Sequence, residues 1–201
     1  NKIYYIYILS MNFWNLSNNN NSKMNCTPSK NNMNICPRQS NNADSSINKL
    51  INTYLYGFYA YLIISMHFKK KNICLFGVSN IFQSLSDQKK NLAQELIDFQ
   101  NSKNVNIQYE NINVIKTASW SISQALKNAI DFEQSISKDL NNIYKNLQTL
   151  NKNDLSNFIQ KILISSNSDL LKELEKLHTQ SKRCGTGAGE FLFDQNLLKN
   201  N

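Results

Sequence analysis

Two long segments of this sequence place an apolar residue at every third or fourth position, which is the spacing of one buried face on an α-helix. A single charged residue interrupts each series, Lys89 in the first and Glu133 in the second. The first series comprises Leu75, Val78, Phe82, Leu85, Lys89, Leu92, Leu96 and Phe99, and the second comprises Leu126, Ala129, Glu133, Ile136, Leu140, Ile143, Leu147 and Leu150. An unpaired charge on such a face would lose its solvation at a cost of several kcal/mol, so opposite charges on facing helices should pair. The sequence therefore predicts a helical bundle with a buried Lys89–Glu133 ion pair.

The length of the chain and the distribution of its charge favour a single-domain protein that binds neither nucleic acid nor membranes. A chain of 201 residues suits one domain with a substantial core and some additional sequence. The formal net charge is +8, but outside Lys69–Lys71 and Lys89–Lys90 the cations are spread over polar helix faces, so we expect no nucleic-acid partner. No run reaches the roughly 18 apolar residues of a membrane span. The nearest run, residues 54–68, is expected to be core, so no membrane association is expected.

Residues 1–44 differ from the remainder and are interpreted as an irregular arm. They are rich in asparagine, contain both prolines and lack helical periodicity. Cys26 and Cys36 bracket a short loop and can form a disulfide in an oxidising compartment, with two unpaired thiols as the alternative. Three Asn-x-Ser/Thr sequons also fall in this arm, beginning at Asn15, Asn20 and Asn25. Together these features favour the secretory pathway or an extracellular location, with the cytoplasm as the alternative.

From residue 45 the sequence predicts a body of long helices, because few prolines or glycines occur before residue 183. We expect helices over about 46–68, 74–102, 121–150 and 154–183, followed by a short fifth helix over 190–198. Ser46 is the predicted N-cap of the first helix, and His67 at its other end is predicted to be solvated. Short turns join the first helix to the second and the third to the fourth, whereas residues 102–120 form a long connection. The predicted fold is therefore all-α: a four-helix bundle over residues 45–201 with one long crossover between the second and third helices and a short fifth helix.

Several short stretches within this body resemble ferritin. They are Ile51–Tyr56 with Ala60–Leu62, Phe99–Asn101, Phe132–Glu133, Asn157–Ile159 and, at the start of the fifth helix, Gly189–Asp194. The resemblance covers about residues 45–198 and implies a ferritin-like bundle in a hollow shell of twenty-four subunits, which stores ferric mineral in its cavity. The fifth helix would line a pore of that shell. The arm, with its cysteines and sequons, resembles that of secreted ferritins of the arthropod type.

The resemblance also locates the family's iron-oxidising centre, from which this chain departs at most positions. Oxidising ferrous iron with oxygen requires two irons held by carboxylates and an imidazole. The matching positions are Tyr54, Tyr61, Lys89, Leu92, Glu133 and Asn167. Because Tyr54, Lys89 and Leu92 replace metal ligands, the chain resembles the light-chain type, which lacks ferroxidase activity and is not itself an enzyme. In that type the lysine pairs with the surviving glutamate, so the resemblance also predicts a structural Lys89–Glu133 salt bridge.

Two other iron-handling regions of the family are weakened in this chain. The mineral-nucleating face of the second helix corresponds to Ser84, Asp87, Gln88 and Asn91, and the acidic threefold pore corresponds to Asn157 and Gln160. Asp87 and Glu133 are therefore the remaining candidate metal ligands among the family's positions. The resemblance implies a subunit that builds the shell together with copies of itself and a heavy-type partner chain that oxidises iron. Such a chain does not bind iron tightly itself.

Two alternative functions remain open at this point. The first is a ferroxidase built from displaced ligands, which would be Asp87, Gln88, Glu133 and Glu175. The second is a ferritin-like scaffold without iron. Glu175 and His178 also form a Glu-x-x-His pair at helical spacing, but the pair matches no metal position of the family and has no identified partner carboxylate. Cys74 and Cys184 can either be free or bridge chains.

Overall fold

The computed structural model describes residues 42–113 and 120–200, and every regular element within them is a helix. Helices α1, α2 and α3 span Asn42–Phe68, Phe76–Ser102 and Ile122–Thr149, and α5 spans Ala188–Asn200. Helix α4 consists of three consecutive helical segments, Asn153–Phe158, Ile159–Ile164 and Ser165–Cys184. The all-α prediction with a short C-terminal helix is confirmed. The predicted arm, including Cys26 and Cys36, lies outside the described residues except for residues 42–44, which begin α1. None of the described helices is both long and apolar enough to cross a membrane.

The connections give the bundle its predicted topology. A short turn over residues 69–75 joins α1 to α2, and the turn Leu150–Lys152 joins α3 to α4, with Asn151 in the left-handed region at φ 52°. Between the two pairs, residues 105–113 have no regular secondary structure, and the stretch from Asn106 to Glu110 is hydrogen-bonded to α1. There the Asn52 side-chain amide donates to the Gln108 carbonyl at 2.8 Å, and its oxygen accepts from the Glu110 N–H at 3.0 Å. The crossover is thus bound to the outside of α1 as it returns toward the start of α3.

A buried carboxylate attaches α5 to the start of α2. Asp194 is only 1% exposed, and its Oδ1 accepts from the backbone N–H of Val78 at 2.8 Å. Leu75, the residue that precedes α2, offers no side-chain cap, so Asp194 supplies an acceptor to an N-terminal N–H that has no partner within the helix. Gly77 permits this approach, because a Cβ at that position would overlap the Asp194 carbonyl. The fifth helix therefore packs against the end of the bundle where α2 begins.

The core consists of two apolar clusters placed one after the other along the bundle. One contains Ile47, Leu50, Ile51, Tyr54, Ala93, Leu96, Ile136, Leu140, Ile143, Leu147, Leu155, Ile159 and Leu163. The other contains Tyr61, Ile64, Phe68, Val78, Phe82, Leu85, Ile122, Ala125, Leu126, Ala129, Ile130, Leu174 and Phe193. Lys89 and Glu133 lie at the boundary between the two clusters. Burial of the two apolar stripes therefore carries both charges into the interior.

The structure corrects the predicted end of α3 and the predicted start of α1. Helix α3 stops at Thr149, so Leu150 leaves the buried stripe and is 52% exposed rather than inside. Helix α1 begins at Asn42, so Ser46 lies within the helix and is not its N-cap. Asp44 accounts for the earlier start, because a carboxylate in the first turn interacts favourably with the helix N-terminus, and it also lies 3.9 Å from Lys152 Nζ.

His67 is a third correction, because it is buried rather than solvated. Only 7% of its surface is exposed, and its ring packs on Phe68 at 5.3 Å and on Trp120 at 5.6 Å, measured between ring centroids. Trp120 arrives from the end of the crossover, which no helical pattern within α1 could indicate. Burial, with a smaller contribution from Lys70, lowers the pKa of His67 below its usual value.

Helix α4 contains a π-helical turn at Ile159–Ile164 that the sequence did not predict. The i→i+5 hydrogen bonds of such a turn widen the helix and shift its register. Buried residues accordingly recur at intervals of four across it, at Leu155, Ile159, Leu163 and Asn167. The π turn therefore brings Asn167 onto the core face of α4.

Candidate functional site

Each of the four long helices contributes one polar side chain to a single position in the core. These are Tyr61 from α1, Lys89 from α2, Glu133 from α3 and Asn167 from α4, and we call them the polar centre. Their exposed fractions are 1%, 2%, 0% and 5%, respectively. The structure thus brings together, around one carboxylate, four of the six residues that the family resemblance singled out, and the ring of a fifth, Tyr54, lies beside Lys89.

Hydrogen bonds occupy both oxygens of Glu133. Lys89 Nζ donates to Oε2 at 2.7 Å, and Asn167 Nδ2 donates to the same oxygen at 2.8 Å. The Tyr61 hydroxyl donates to Oε1 at 2.6 Å. The carboxylate therefore accepts three hydrogen bonds from three other helices, which compensates the solvation that it loses in the core.

Apolar and aromatic groups enclose the Lys89 side chain. Its ammonium lies 5.2 Å from the centroid of the Tyr54 ring, within the range of a cation–π interaction. Gly57 leaves room beside its stem, because a Cβ at that position would lie 2.8 Å from Phe132 Cε1 and 3.4 Å from Lys89 Cγ. Phe132 in turn meets the Tyr61 ring edge to face, with centroids 5.9 Å apart. The lysine thus lies beside the Tyr54 ring, and its ion-pair partner is Glu133.

The two tyrosines near the carboxylate are held in the neutral form. Burial, followed by the negative charge of Glu133, raises the pKa of Tyr54 and of Tyr61 well above the usual tyrosine value. The hydrogen bond from Tyr61 to Glu133 acts in the same direction, because the protonated phenol is the donor. Tyr61 therefore remains a hydrogen-bond donor to Glu133 up to strongly alkaline pH.

The ligands available at the polar centre are few. Glu133 is its one carboxylate, and Leu92, which the resemblance predicted at this site, is a half-buried alkyl chain packed on the first apolar cluster. Across the described ranges 42–113 and 120–200, no group of three or more His, Cys, Asp and Glu side chains is arranged to hold a metal ion. The arrangement provides charge neutralisation and hydrogen bonding between helices.

The predicted nucleation and pore positions lie at the surface. Ser84, Asp87 and Asn91 are exposed on α2, and Gln88 beside them is half-buried, with its amide 3.3 Å from the Ser166 hydroxyl of α4. Asn157 and Gln160 are exposed near the start of α4, where Gln160 Oε1 accepts from the Tyr144 hydroxyl at 3.0 Å. Asp87 is the one carboxylate among these six side chains.

The remaining residues of interest lie toward the other end of the bundle. Glu175 and His178 line an open groove between α3 and α4, on the outside of the polar centre's helices. Cys74, in the α1–α2 turn, and Cys184, at the end of α4, are exposed free thiols. The Cys74 thiol lies 3.0 Å from the Lys71 carbonyl, and its backbone is left-handed at φ 54°.

Sequence reasoning missed Gly57 and the π turn in α4. An isolated glycine inside a long helix costs about 1 kcal/mol relative to alanine, so its presence in α1 indicates that a neighbouring side chain packs closely there. That signal was available. The π turn left only a weak trace, because a spacing of four between buried residues is also common in α-helices.

Comparison with known proteins agrees with this architecture. The sequence profile of the ferritin-like domain family matches residues 45–184. A ferritin from Pacifastacus leniusculus is 30% identical over 153 residues, covering 75% of this chain and 84% of the relative. Ferritin-2 heavy chain from Schistosoma mansoni is 29% identical, covering 76% and 89%, and ferritin light chain from Pongo abelii is 25% identical, covering 80% and 94%. The chain therefore belongs to the ferritin family, whose members store iron in shells of several subunits.

Proposed function

We propose that this chain is a light-type ferritin subunit, a structural component of an iron-storing shell that has no ferroxidase centre of its own. The observation that supports this is the occupancy of Glu133, whose two oxygens accept hydrogen bonds from Lys89, Asn167 and Tyr61. To bind ferrous iron, Glu133 would have to release Lys89 and leave an ammonium buried without its partner. A change of that kind costs several kcal/mol.

The alternative is a ferroxidase that uses Asp87, Gln88, Glu133 and Glu175. These side chains occupy different environments: Asp87 is exposed and lies 3.3 Å from the Gln83 amide, Glu175 lines the α3–α4 groove, and Glu133 is fully buried. Two irons require several carboxylate ligands converging on one point. The geometry of the described residues therefore favours the structural role.

Aerobic oxidation of ferrous iron by the purified chain tests the proposal. We expect the rate to equal that of a protein-free solution. A variant that restores ligands at the vacated positions, Tyr54→Glu/Lys89→Glu/Leu92→His, should oxidise iron faster, because it surrounds Glu133 with two more carboxylates and an imidazole. Lys90→Glu is the matched control for the charge change, since Lys90 is exposed and next to Lys89 in sequence. Oxidation by the unmodified chain above the protein-free rate would establish the alternative.

We further expect the chain to assemble with copies of itself and with a heavy-type chain in a shell of twenty-four subunits, with iron as the stored cargo. The net charge of +8 fits a partner of opposite charge. Native mass spectrometry of the purified particle, combined with iron analysis, tests this expectation. A large, iron-bearing particle containing a second, carboxylate-rich chain is the expected result. A homomeric, iron-free particle would instead favour the scaffold function.

We expect the protein to enter the secretory pathway, because the arm contains three sequons and the pair Cys26 and Cys36. Peptide mapping of native protein under non-reducing conditions tests it through two modifications. A Cys26–Cys36 disulfide together with glycosylation at Asn15, Asn20 or Asn25 would support the secretory pathway. Two free thiols and unmodified asparagines would favour the cytoplasm.

A further inference from the structure

His67 is a buried titratable residue outside the polar centre, and the proposed function makes no use of it. It lies in the last turn of α1, with 7% of its surface exposed. Its ring nitrogen Nδ1 is buried and has no hydrogen-bond partner among the described residues. A buried polar atom without a partner is uncommon in proteins, because its hydrogen bonds to water have been lost without replacement. The protonation state of this ring therefore affects how well it fits its surroundings.

The His67 ring connects two elements of the bundle. Its centroid lies 5.6 Å from that of the Trp120 ring, with an angle of 63° between the two planes. Trp120 directly precedes Ser121, the N-cap of α3, and its half-buried side chain packs against the second apolar cluster. On the other side the ring meets Phe68, the next residue of α1, at 5.3 Å. The histidine thus attaches the start of α3 to the end of α1.

Protonation would place a charge here without the partners that it needs. An imidazolium has an N–H on both ring nitrogens, so Nδ1 of His67 would become a buried donor with no acceptor among the described residues. The C-terminal end of α1 and a hydrogen bond with the Trp120 backbone both favour the protonated ring. Burial outweighs them, because the pKa of His67 lies below its usual value. The neutral ring is therefore the form that fits this position.

The charged groups around His67 do not compensate for burial. Lys70, in the α1–α2 turn, acts on the ring, and as a cation it opposes protonation. No carboxylate within residues 42–113 and 120–200 contributes, and Asp194, which is buried at the start of α2, accepts from the Val78 N–H instead. We propose that His67 is an acid-sensitive switch: the neutral ring holds Trp120 against the end of α1, and protonation releases Trp120 and loosens the attachment of the start of α3.

The direction of the pH dependence follows from the two environments of His67. In the released state the ring is solvated and has the ordinary histidine pKa of 6.5, whereas the buried ring is protonated only at lower pH. Between these two pKa values the released state binds one more proton. The equilibrium constant for release should therefore rise by up to about tenfold for each pH unit below 6.5, and above that pH it should not depend on this histidine.

Tryptophan fluorescence tests the proposal. The chain has two tryptophans, and Trp14→Phe leaves Trp120 as the only one. As the pH falls from about 8 to about 5, the range in which histidines titrate, we expect the emission maximum to move to longer wavelength and quenching by acrylamide to increase. The reason is that a half-buried indole becomes exposed to water. Emission wavelength is followed because an adjacent imidazolium can lower the intensity without any movement.

Two further variants in the Trp14→Phe background identify the group that takes up the proton. His67→Phe keeps an aromatic ring against Trp120 but cannot be protonated, so its emission maximum should stay constant over this pH range. His178→Gln is the matched control, because His178, on α4, is the other histidine of the chain. It should show the same transition as the Trp14→Phe protein. Far-UV circular dichroism of each variant measures the helix content at each pH.

Three results would overturn the proposal. The first is a constant emission maximum in the Trp14→Phe protein, as expected if the imidazolium stays on the Trp120 ring as a cation–π pair. The second is an unchanged transition in His67→Phe, which would assign the proton to another group. The third is a loss of helix with the same midpoint as the fluorescence change, because the whole bundle rather than Trp120 would then respond to acid.

Discussion

Two ion pairs of this chain have the same length and opposite surroundings. Lys89–Glu133 in the core and Lys127–Asp131 on the surface of α3 each place the ammonium 2.7 Å from a carboxylate oxygen. The side chains of the first pair are 2% and 0% exposed, and those of the second are 54% and 55% exposed. The N–O distance alone therefore does not distinguish a pair on which the fold depends from one that it can lose.

Solvation explains the difference. At the surface, water stabilises each charge whether or not the partner is present, so such pairs contribute about 0.2–1 kcal/mol. In the core neither charge has water, and each depends on the other and on the hydrogen bonds from Tyr61 and Asn167. The buried pair is thus a requirement of the fold more than a source of net stability.

The largest expected effect comes from removing one member of the buried pair. Lys89→Ala should lower the free energy of unfolding by on the order of 3 kcal/mol, because it leaves Glu133 buried without its counter-ion. Urea unfolding followed by circular dichroism, at one fixed protein concentration, measures the loss. Lys90→Ala is the control, since Lys90 is the exposed neighbour on the same helix. A loss under about 0.5 kcal/mol for Lys89→Ala would mean that the pair is solvated.

The second largest effect is expected at alkaline pH, where the buried tyrosines of the core, unlike exposed ones, should make stability depend on pH. The free energy of unfolding should fall above pH 10 or so, because tyrosines of the unfolded chain ionise there while the raised pKa of Tyr61 keeps it neutral in the folded protein. Each such tyrosine contributes a slope of about 1.4 kcal/mol per pH unit, so Tyr61→Phe should have a shallower decline. Urea unfolding between pH 9 and about pH 11 measures the slopes.

Tyr54→Phe is the companion variant for this test, because burial raises the pKa of Tyr54 as well. It should reduce the slope by the same amount, and the double variant by twice as much. Parallel stability curves for the unmodified protein and Tyr61→Phe would show that the phenol ionises equally in both states and is not buried.

A smaller effect is expected when both charges of the buried pair are removed together. Lys89→Met/Glu133→Gln should destabilise the protein by about 1 kcal/mol or less, because no charge remains buried and the glutamine oxygen can still accept from Tyr61. The same urea experiment, combined with the single variants in a double-mutant cycle, gives the coupling energy. If the double variant lost as much stability as Lys89→Ala, side-chain packing rather than charge would explain the dependence on Lys89.

The smallest effect belongs to the surface pair. Lys127→Ala should change the free energy of unfolding by less than about 0.5 kcal/mol, and 1 M sodium chloride should reduce even that difference, because salt screens exposed charges. Urea unfolding at low and high salt provides the comparison. A loss above about 1 kcal/mol that persists in salt would place Lys127 in a more buried network than its exposure indicates.

Much of the fold followed from local pattern. The scarcity of proline and glycine, the spacing of apolar residues and the lengths of the connections together predicted four long helices, a crossover and a short fifth helix, and the structure has them. The errors at Ser46 and Leu150 lie at helix ends, where one residue decides whether a side chain faces the core. His67 was misjudged because Trp120, which covers it, is more than fifty positions away in sequence.

The polar centre could be anticipated only in part. Lys89 and Glu133 each interrupt an apolar stripe, so their burial and opposite charges could be inferred from the sequence alone. The bonds from Tyr61 and Asn167 to Glu133 were different, because tyrosine and asparagine occur on buried and exposed helix faces alike. The family resemblance indicated these positions but not which oxygen each would meet.

The sequence by itself determined the long helices and the burial of the opposite charges of Lys89 and Glu133, since these depend on residue type and on spacing along one helix. The tertiary structure alone decided the partners of Glu133, the space that Gly57 gives to Lys89 and the π turn that directs Asn167 inward. Contacts between helices arise from packing across long sequence separations, and periodicity along a single helix carries no record of what faces it.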